Sequence, residues 1–289
     1  MPLLVGSVYA ALFVWAILLF NAWRHRSYRS FLLFGIGLML FLNIGYFVNG
    51  VPSSIASFIG IYDVLINLGL TQESIPEAVA KCAGNACTVW GEQFVNHPAW
   101  GVAFYDRFAN GPEFRSALLY GHIGFNSIAF VLMHFQLFRP GYADNRNTHR
   151  LVGRLTFAAL TLSLICSVWL ASQHGSVVEY GGNLAEYGFY SMAFFVYSTA
   201  VMGIVKARTG DMDGHRVWMF RFIGAMWGSF WLFRVMLFVL DPLLRNIEAA
   251  AILICIWGSA PLGIIISEYI RRRIDQNDLK ETSPKLQPS

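Results

Sequence analysis

Gly210-Asp211-Met212-Asp213-Gly214-His215-Arg216-Val217-Trp218-Met219-Phe220-Arg221-Phe222 runs from a polar turn straight into a long apolar segment, with a histidine, two arginines and two acids at the junction. A relative of it stands earlier in the chain: Thr148-His149-Arg150-Leu151-Val152-Gly153-Arg154-Leu155 also opens an apolar segment with His-Arg and adds a further arginine. Thr148 and Asp213 are natural N-caps, since their side-chain oxygens accept from the unpaired N–H groups of a first helical turn. Both histidines then enter the first turn of a helix that starts at a membrane surface. The apolar length behind each junction decides the fold.

Of the 289 residues, 56% are hydrophobic and 13% charged, against about 45–50% and ~25% in soluble domains. Apolar runs near the ~20 residues that cross a bilayer occupy 3–22, 31–49, 116–138, 151–172, 186–205, 217–240 and 247–270. The reading is an all-α, multi-pass protein of a cell membrane, the inner membrane in a bacterium, with seven transmembrane helices. Cytoplasmic loops collect Lys and Arg. With the N-terminus outside and the C-terminus inside, sixteen of the 21 basic residues fall on one face. They lie at 24–29, 139–154, 206–221 and 271–285. The net charge of +4 therefore answers an anionic leaflet, not a nucleic acid. The first run has no basic n-region or small-residue cleavage site, so it reads as a retained helix.

The chain divides into two transmembrane helices (1–49), an extracytoplasmic loop domain (50–115), a five-helix membrane core (116–270) and a cytoplasmic tail (271–289) expected to be disordered. In the loop domain, residues 53–70 carry apolar groups at helical spacing. They read either as an interfacial amphipathic helix or as a helix packed on the loop. Cys82 and Cys87 flank a Gly-Asn turn on the oxidising face, where a disulfide is the leading reading and a redox or metal role the other. Within the core, spans three and four form one hairpin and spans five and six another. Both second helices start with His-Arg, which suggests a repeat.

Ionisable groups inside lipid are costly and therefore functional candidates. At the inner helix starts these are His149, Arg154, His215 and Arg221, read either as anchors to lipid phosphates or as a pocket for an anionic headgroup, a quinone or a cofactor carboxylate. Within the spans they are His122, Asn126, His134 and Gln136 on the third, Arg234 on the sixth and Glu268 on the last. His122 and Arg234 have similar depths and could line one outward-facing cavity, or Arg234 could pair with Glu186 or Asp241. Glu268 is placed to pair with Arg271–Arg273. Histidines on bundle helices raise b-type haem, whose iron takes axial imidazoles. His122 and His134 are twelve residues apart and so about 120° apart around the helix at ~100° per residue. That excludes two stacked haems on this helix and leaves one, with His122 or His134 as a ligand. No C-x-x-C-H, phosphate-binding glycine loop, nucleophile elbow or zinc-protease motif is present.

His149-Arg150-Leu-Val-Gly153-Arg154, His215-Arg216-Val-Trp218-Met219-Phe-Arg221, Arg234, Gly121-His122 and Phe135-Gln136 together resemble the bacterial and fungal membrane family catalogued as domain of unknown function 2306. The resemblance spans about residues 116–240, and Met133-His134-Phe135 departs from the Gly-Pro expected before the glutamine. It implies a multi-span membrane protein with no established reaction, and it singles out His122, His149, Arg154, His215, Arg221 and Arg234 as a set. Three functions remain on the residues: a redox protein associated with haem b or quinone, a carrier or binding protein for an anionic or amphipathic small molecule, and an assembly factor without catalysis.

Overall fold

In lipid a backbone has no hydrogen-bonding partner but itself, so each apolar run closes into a helix. The structure is a computed structural model, and it describes residues 2–25, 27–51, 53–54, 107–108, 111–138, 146–172, 182–244 and 248–282. Cys82, Cys87 and nearly all of the loop domain lie outside the described residues. The helices are α1 (Pro2–His25), α2 (Arg29–Asn49), α3 (Glu113–Phe138), α4 (Arg146–Ala171) and α5 (Gly182–Arg208). They continue with α6 (Met212–Trp227), a π-helical turn (Gly228–Leu232), α7 (Phe233–Leu243) and α8 (Glu248–Thr282). Six candidate spans are long and apolar enough to cross a membrane, with α6, the π-helical turn and the start of α7 forming one of them. Only 22% to 44% of each span's apolar window is buried within the protein, as expected of helices whose outer faces meet lipid.

The hairpins α3–α4 and α5–α6 pack side by side through α4 and α5; α2 covers α3, and α8 lies along α5, α6 and α7. The α6–α8 seam brings backbones into direct contact. Gly224 and Gly228, four residues apart, face Ser259, Gly263 and Ser267 at the same spacing. A Cβ on Gly263 would stand 2.1 Å from the Gly224 carbonyl oxygen, and one on Gly228 2.3 Å from that of Ser259. Small residues let membrane helices approach until backbones touch, where dispersion is strongest. At the other side of α6 an aromatic core gathers Trp15, Phe31, Phe130, Trp227, Phe230 and Trp231. Trp15 and Phe31 stack with centres 5.1 Å apart.

The stretch that opens the sixth span folds as a double cap. Gly210 takes φ +80°, the Asp211 N–H reaches back to the Lys206 carbonyl at 3.0 Å and the Gly210 N–H to that of Ala207 at 3.4 Å, which closes the end of α5 in a Schellman turn. Asp211 then caps α6 by accepting from the Gly214 N–H at 2.8 Å. The cap is thus Asp211 and not Asp213, because the glycine turn leaves no spare residue between the helices. Likewise α4 begins at Arg146, so Thr148 lies inside it.

α8 differs from expectation too. It stays helical to Thr282, beyond residue 270 where the tail was expected to become disordered. Glu268 and Asp275 explain the extension: both accept from Arg271 on the next turn of the same helix.

Candidate functional site

Two helix starts converge at the basic end of the bundle. The rings of His149 on α4 and His215 on α6 lie with centres 6.2 Å apart and planes at 88°. His215 donates from Nδ1 to the Gly203 carbonyl on α5 at 2.8 Å, which fixes its tautomer and leaves Nε2 as the lone-pair nitrogen. Gly203 is buried, and a Cβ there would meet Met219 Cε at 2.1 Å, so the Met219 side chain would have to turn aside for any larger residue. On the other side, Gln136 of α3 donates to the His149 carbonyl at 3.0 Å and so holds the first turns of α4 against the end of α3. α4 and α6 each pack along α5 and not along one another. The ring pair is thus a contact between two helices that both pack against α5.

The expected four-residue cluster is only half assembled. Arg221 follows His215 by six residues, about 240° around the helix at ~100° per residue, and it turns to α8. There it lies over the Trp218 ring at 4.6 Å and pairs with Glu268 at 3.5 Å. Arg154, about 140° around α4 from His149 by the same measure, is exposed. Glu268 accepts from Arg271 and Arg272 as the sequence suggested, and Arg216 bridges to Asp275 at 3.0 Å.

His134 lies in the aromatic core. It is 1% exposed, and both ring nitrogens are engaged: Nδ1 donates to the Phe130 carbonyl at 2.7 Å and Nε2 accepts from Trp227 Nε1 at 2.8 Å. A nitrogen whose lone pair holds an indole N–H has none for iron, so His134 belongs to the aromatic core. His122 is pinned to α4, with Nδ1 3.1 Å from Ser163 Oγ and the Ser163 hydroxyl donating to the His122 carbonyl at 3.2 Å. Among the described residues no histidine ring contacts it.

Arg234 follows the π-helical turn directly. It donates to the Phe230 carbonyl at 2.7 Å, and its guanidinium carbon lies 3.9 Å from the centre of the Phe230 ring. The Arg234 charge is felt at both His122 and Tyr46 of α2, a polar group that the sequence did not suggest. Asn126, on the same helix as His122, is half-buried. Two polar centres thus occupy the bundle, one near each end.

A family model covering the helices that build both centres matches residues 119–270 and is described as a predicted membrane protein, domain of unknown function 2306. The chain belongs to this family. The matched DUF2306 segment carries His122, Gln136, His149, Arg154, His215, Arg221 and Arg234, so each helix start and each polar residue of the two centres, except Tyr46, lies in the shared domain. No curated protein and no solved structure is significantly similar to the chain.

The sequence also concealed two working parts. The Gly224-Ala-Met-Trp-Gly228 spacing was a readable signal for close helix packing, and the π-helical turn had only its glycine and bulky aromatics to announce it. Among the described residues no group of three or more His, Cys, Asp or Glu side chains is placed to hold a metal ion. A metal centre at the histidine pair must therefore bring most of its own ligands.

Proposed function

We propose that the protein is a membrane redox protein in which His149 and His215 would hold one b-type haem between α4 and α6. The observation that carries this reading is the ring separation. The ring centres of His149 and His215 stand 6.2 Å apart, a spacing that two imidazoles on one metal ion with bonds of about 2.0 Å would also have. Rotation about each metal–nitrogen bond leaves the 88° between planes unconstrained. The Nδ1–H bond of His215 to a backbone carbonyl is the outer contact that ligating histidines make, since it aims the other nitrogen and raises its basicity. Two imidazoles without a third protein ligand suit a metal whose equatorial positions are already filled. Facing helices of a bundle are the usual walls of such a site. Haem iron would supply reversible one-electron transfer; His149 and His215 would bind it, and the bond to Gly203 would orient His215. Arg150, next to His149, is the nearest basic residue in sequence for the haem carboxylates, since Arg216 is paired with Asp275.

The test is an absorption spectrum of the protein purified from haem-replete cells, before and after dithionite. The reading expects a Soret band and sharpened α and β bands on reduction. A featureless spectrum, together with no binding of added hemin, rules it out.

The same proposal includes seven crossings with the basic end inside, because that arrangement gathers sixteen of the 21 basic residues on one face. A cysteine placed at Asn145 then escapes impermeant reagents in intact cells, and its labelling would reverse the orientation. Cys82 and Cys87 then lie on the oxidising side; non-reduced peptide mapping is expected to find them joined, and two alkylated thiols would exclude the disulfide.

A further inference from the structure

Beside the histidine pair but lined by neither histidine, α5, α6 and α8 enclose an open cleft of about 590 Å³. Phe194, Phe195, Ile264 and Ile265 form its walls, and Arg221, Glu268 and Arg272 stand together among its lining residues. Phe194 and Ile265 are 66% and 64% exposed, which in a bilayer means open to acyl chains. Ser198 and Thr199 also line it, but their hydroxyls donate to carbonyls of their own helix, so they leave the walls apolar.

The charged group is unevenly satisfied. Glu268 accepts from Arg271 at 2.7 Å and 3.2 Å and from Arg272 at 3.0 Å, all within α8. Arg221 reaches it only at 3.5 Å, an ion pair without a hydrogen bond. Removing Arg221 from Glu268 therefore leaves the carboxylate well held, while the guanidinium is free to turn on its Trp218 platform toward another anion. Two arginines against one glutamate leave the lining one positive charge in excess. Each water-sized group fills ~30 Å³ of a liquid, so the cleft holds about twenty non-hydrogen atoms.

We infer that this cleft binds a single-chain amphiphile with one negative charge, a long-chain fatty acid, with its carboxylate on Arg221 and Arg272 and its chain along Phe194, Phe195 and Ile265. Charge-assisted bonds to a guanidinium hold such a head far better than a neutral one. The inference does not depend on haem and stands or falls separately.

The experiment uses the full chain in phosphatidylcholine nanodiscs with a photoreactive long-chain fatty acid, mapping adducts by mass spectrometry. Adducts are expected on 194–199, 218–221 and 264–272, competed by oleate but not by butyrate or monoolein. Arg221→Gln should weaken binding about tenfold and Arg221→Lys by less. Ile265→Trp, which fills the cleft without touching a charge, should abolish these adducts and covers the case in which Arg221→Gln fails to fold. Adducts spread over all lipid-facing helices, labelling unchanged in both variants, or competition by phosphatidylglycerol or lysophospholipid equal to that by oleate would overturn the inference.

Discussion

His134 and the His149–His215 pair are both set among helices, yet their nitrogens are used in opposite ways. His134 accepts an indole N–H, donates to a carbonyl and packs against Phe130, Phe138 and Trp227; every part of it is committed to holding α3 against α6. His215 commits one nitrogen, to Gly203, and sets its ring 6.2 Å from a second imidazole on another helix. A buried histidine reads as structure when its two nitrogens are satisfied by packing partners. It reads as a site when an anchored tautomer aims the other nitrogen at a second ligand.

That contrast predicts which substitutions damage the fold and which empty the site. Trp227→Ala removes a ring that touches Trp15, Phe31, Phe130 and His134. Large-to-small changes of this kind cost about 3–5 kcal/mol, so the purified protein should show a sharply lower melting temperature or fail to accumulate. A wild-type melting curve would mean that the aromatic core carries no stability. His134→Phe keeps the volume but strands the Trp227 N–H, at a cost of about 1–3 kcal/mol for an unsatisfied buried donor. Thermal unfolding in detergent should register that loss while haem per folded chain stays constant.

His215→Ala forfeits a single hydrogen bond, worth about 0.5–1.5 kcal/mol net, and should melt close to wild type while losing the Soret band. Stability falling as far as in Trp227→Ala would place His215 with the core histidine instead. The smallest effect belongs to Asp211, whose carboxyl is held below its ordinary value by the Lys206 ammonium first and the Gly214 N–H second. A depressed carboxylate contributes fully above its unfolded value and loses that contribution as pH falls through the folded one. Asp211→Ala should therefore unfold slightly more easily than wild type near neutrality, and the difference should vanish in acid; a gap that widens in acid would show the cap has another role.

The sequence made the spans legible because apolar run length is all that a bilayer requires. It also pointed to the meeting of His149 and His215, since two hairpins of similar length with matching helix starts bring those starts to one level. Rotation of each helix about its axis was not legible: a shift of one residue turns a side chain by ~100°, and this sent Arg221 to Glu268 and away from the histidines. Nor could His134 be separated from a ligand, because its partner Trp227 lies on a different hairpin. The Gly224–Gly228 and Ser259–Gly263–Ser267 spacings were there to be read, and they set a backbone-to-backbone contact between α6 and α8.

The central claim is that one haem sits between His149 and His215 and none on α3. Haem-to-protein stoichiometry by the pyridine adduct, measured on wild type, His122→Ala, His134→Phe, His149→Ala and His215→Ala purified in parallel, tests it most directly. One haem per chain is expected in the first three and almost none in the last two. Haem retained in both His149→Ala and His215→Ala, or lost in His122→Ala with those two intact, would contradict it.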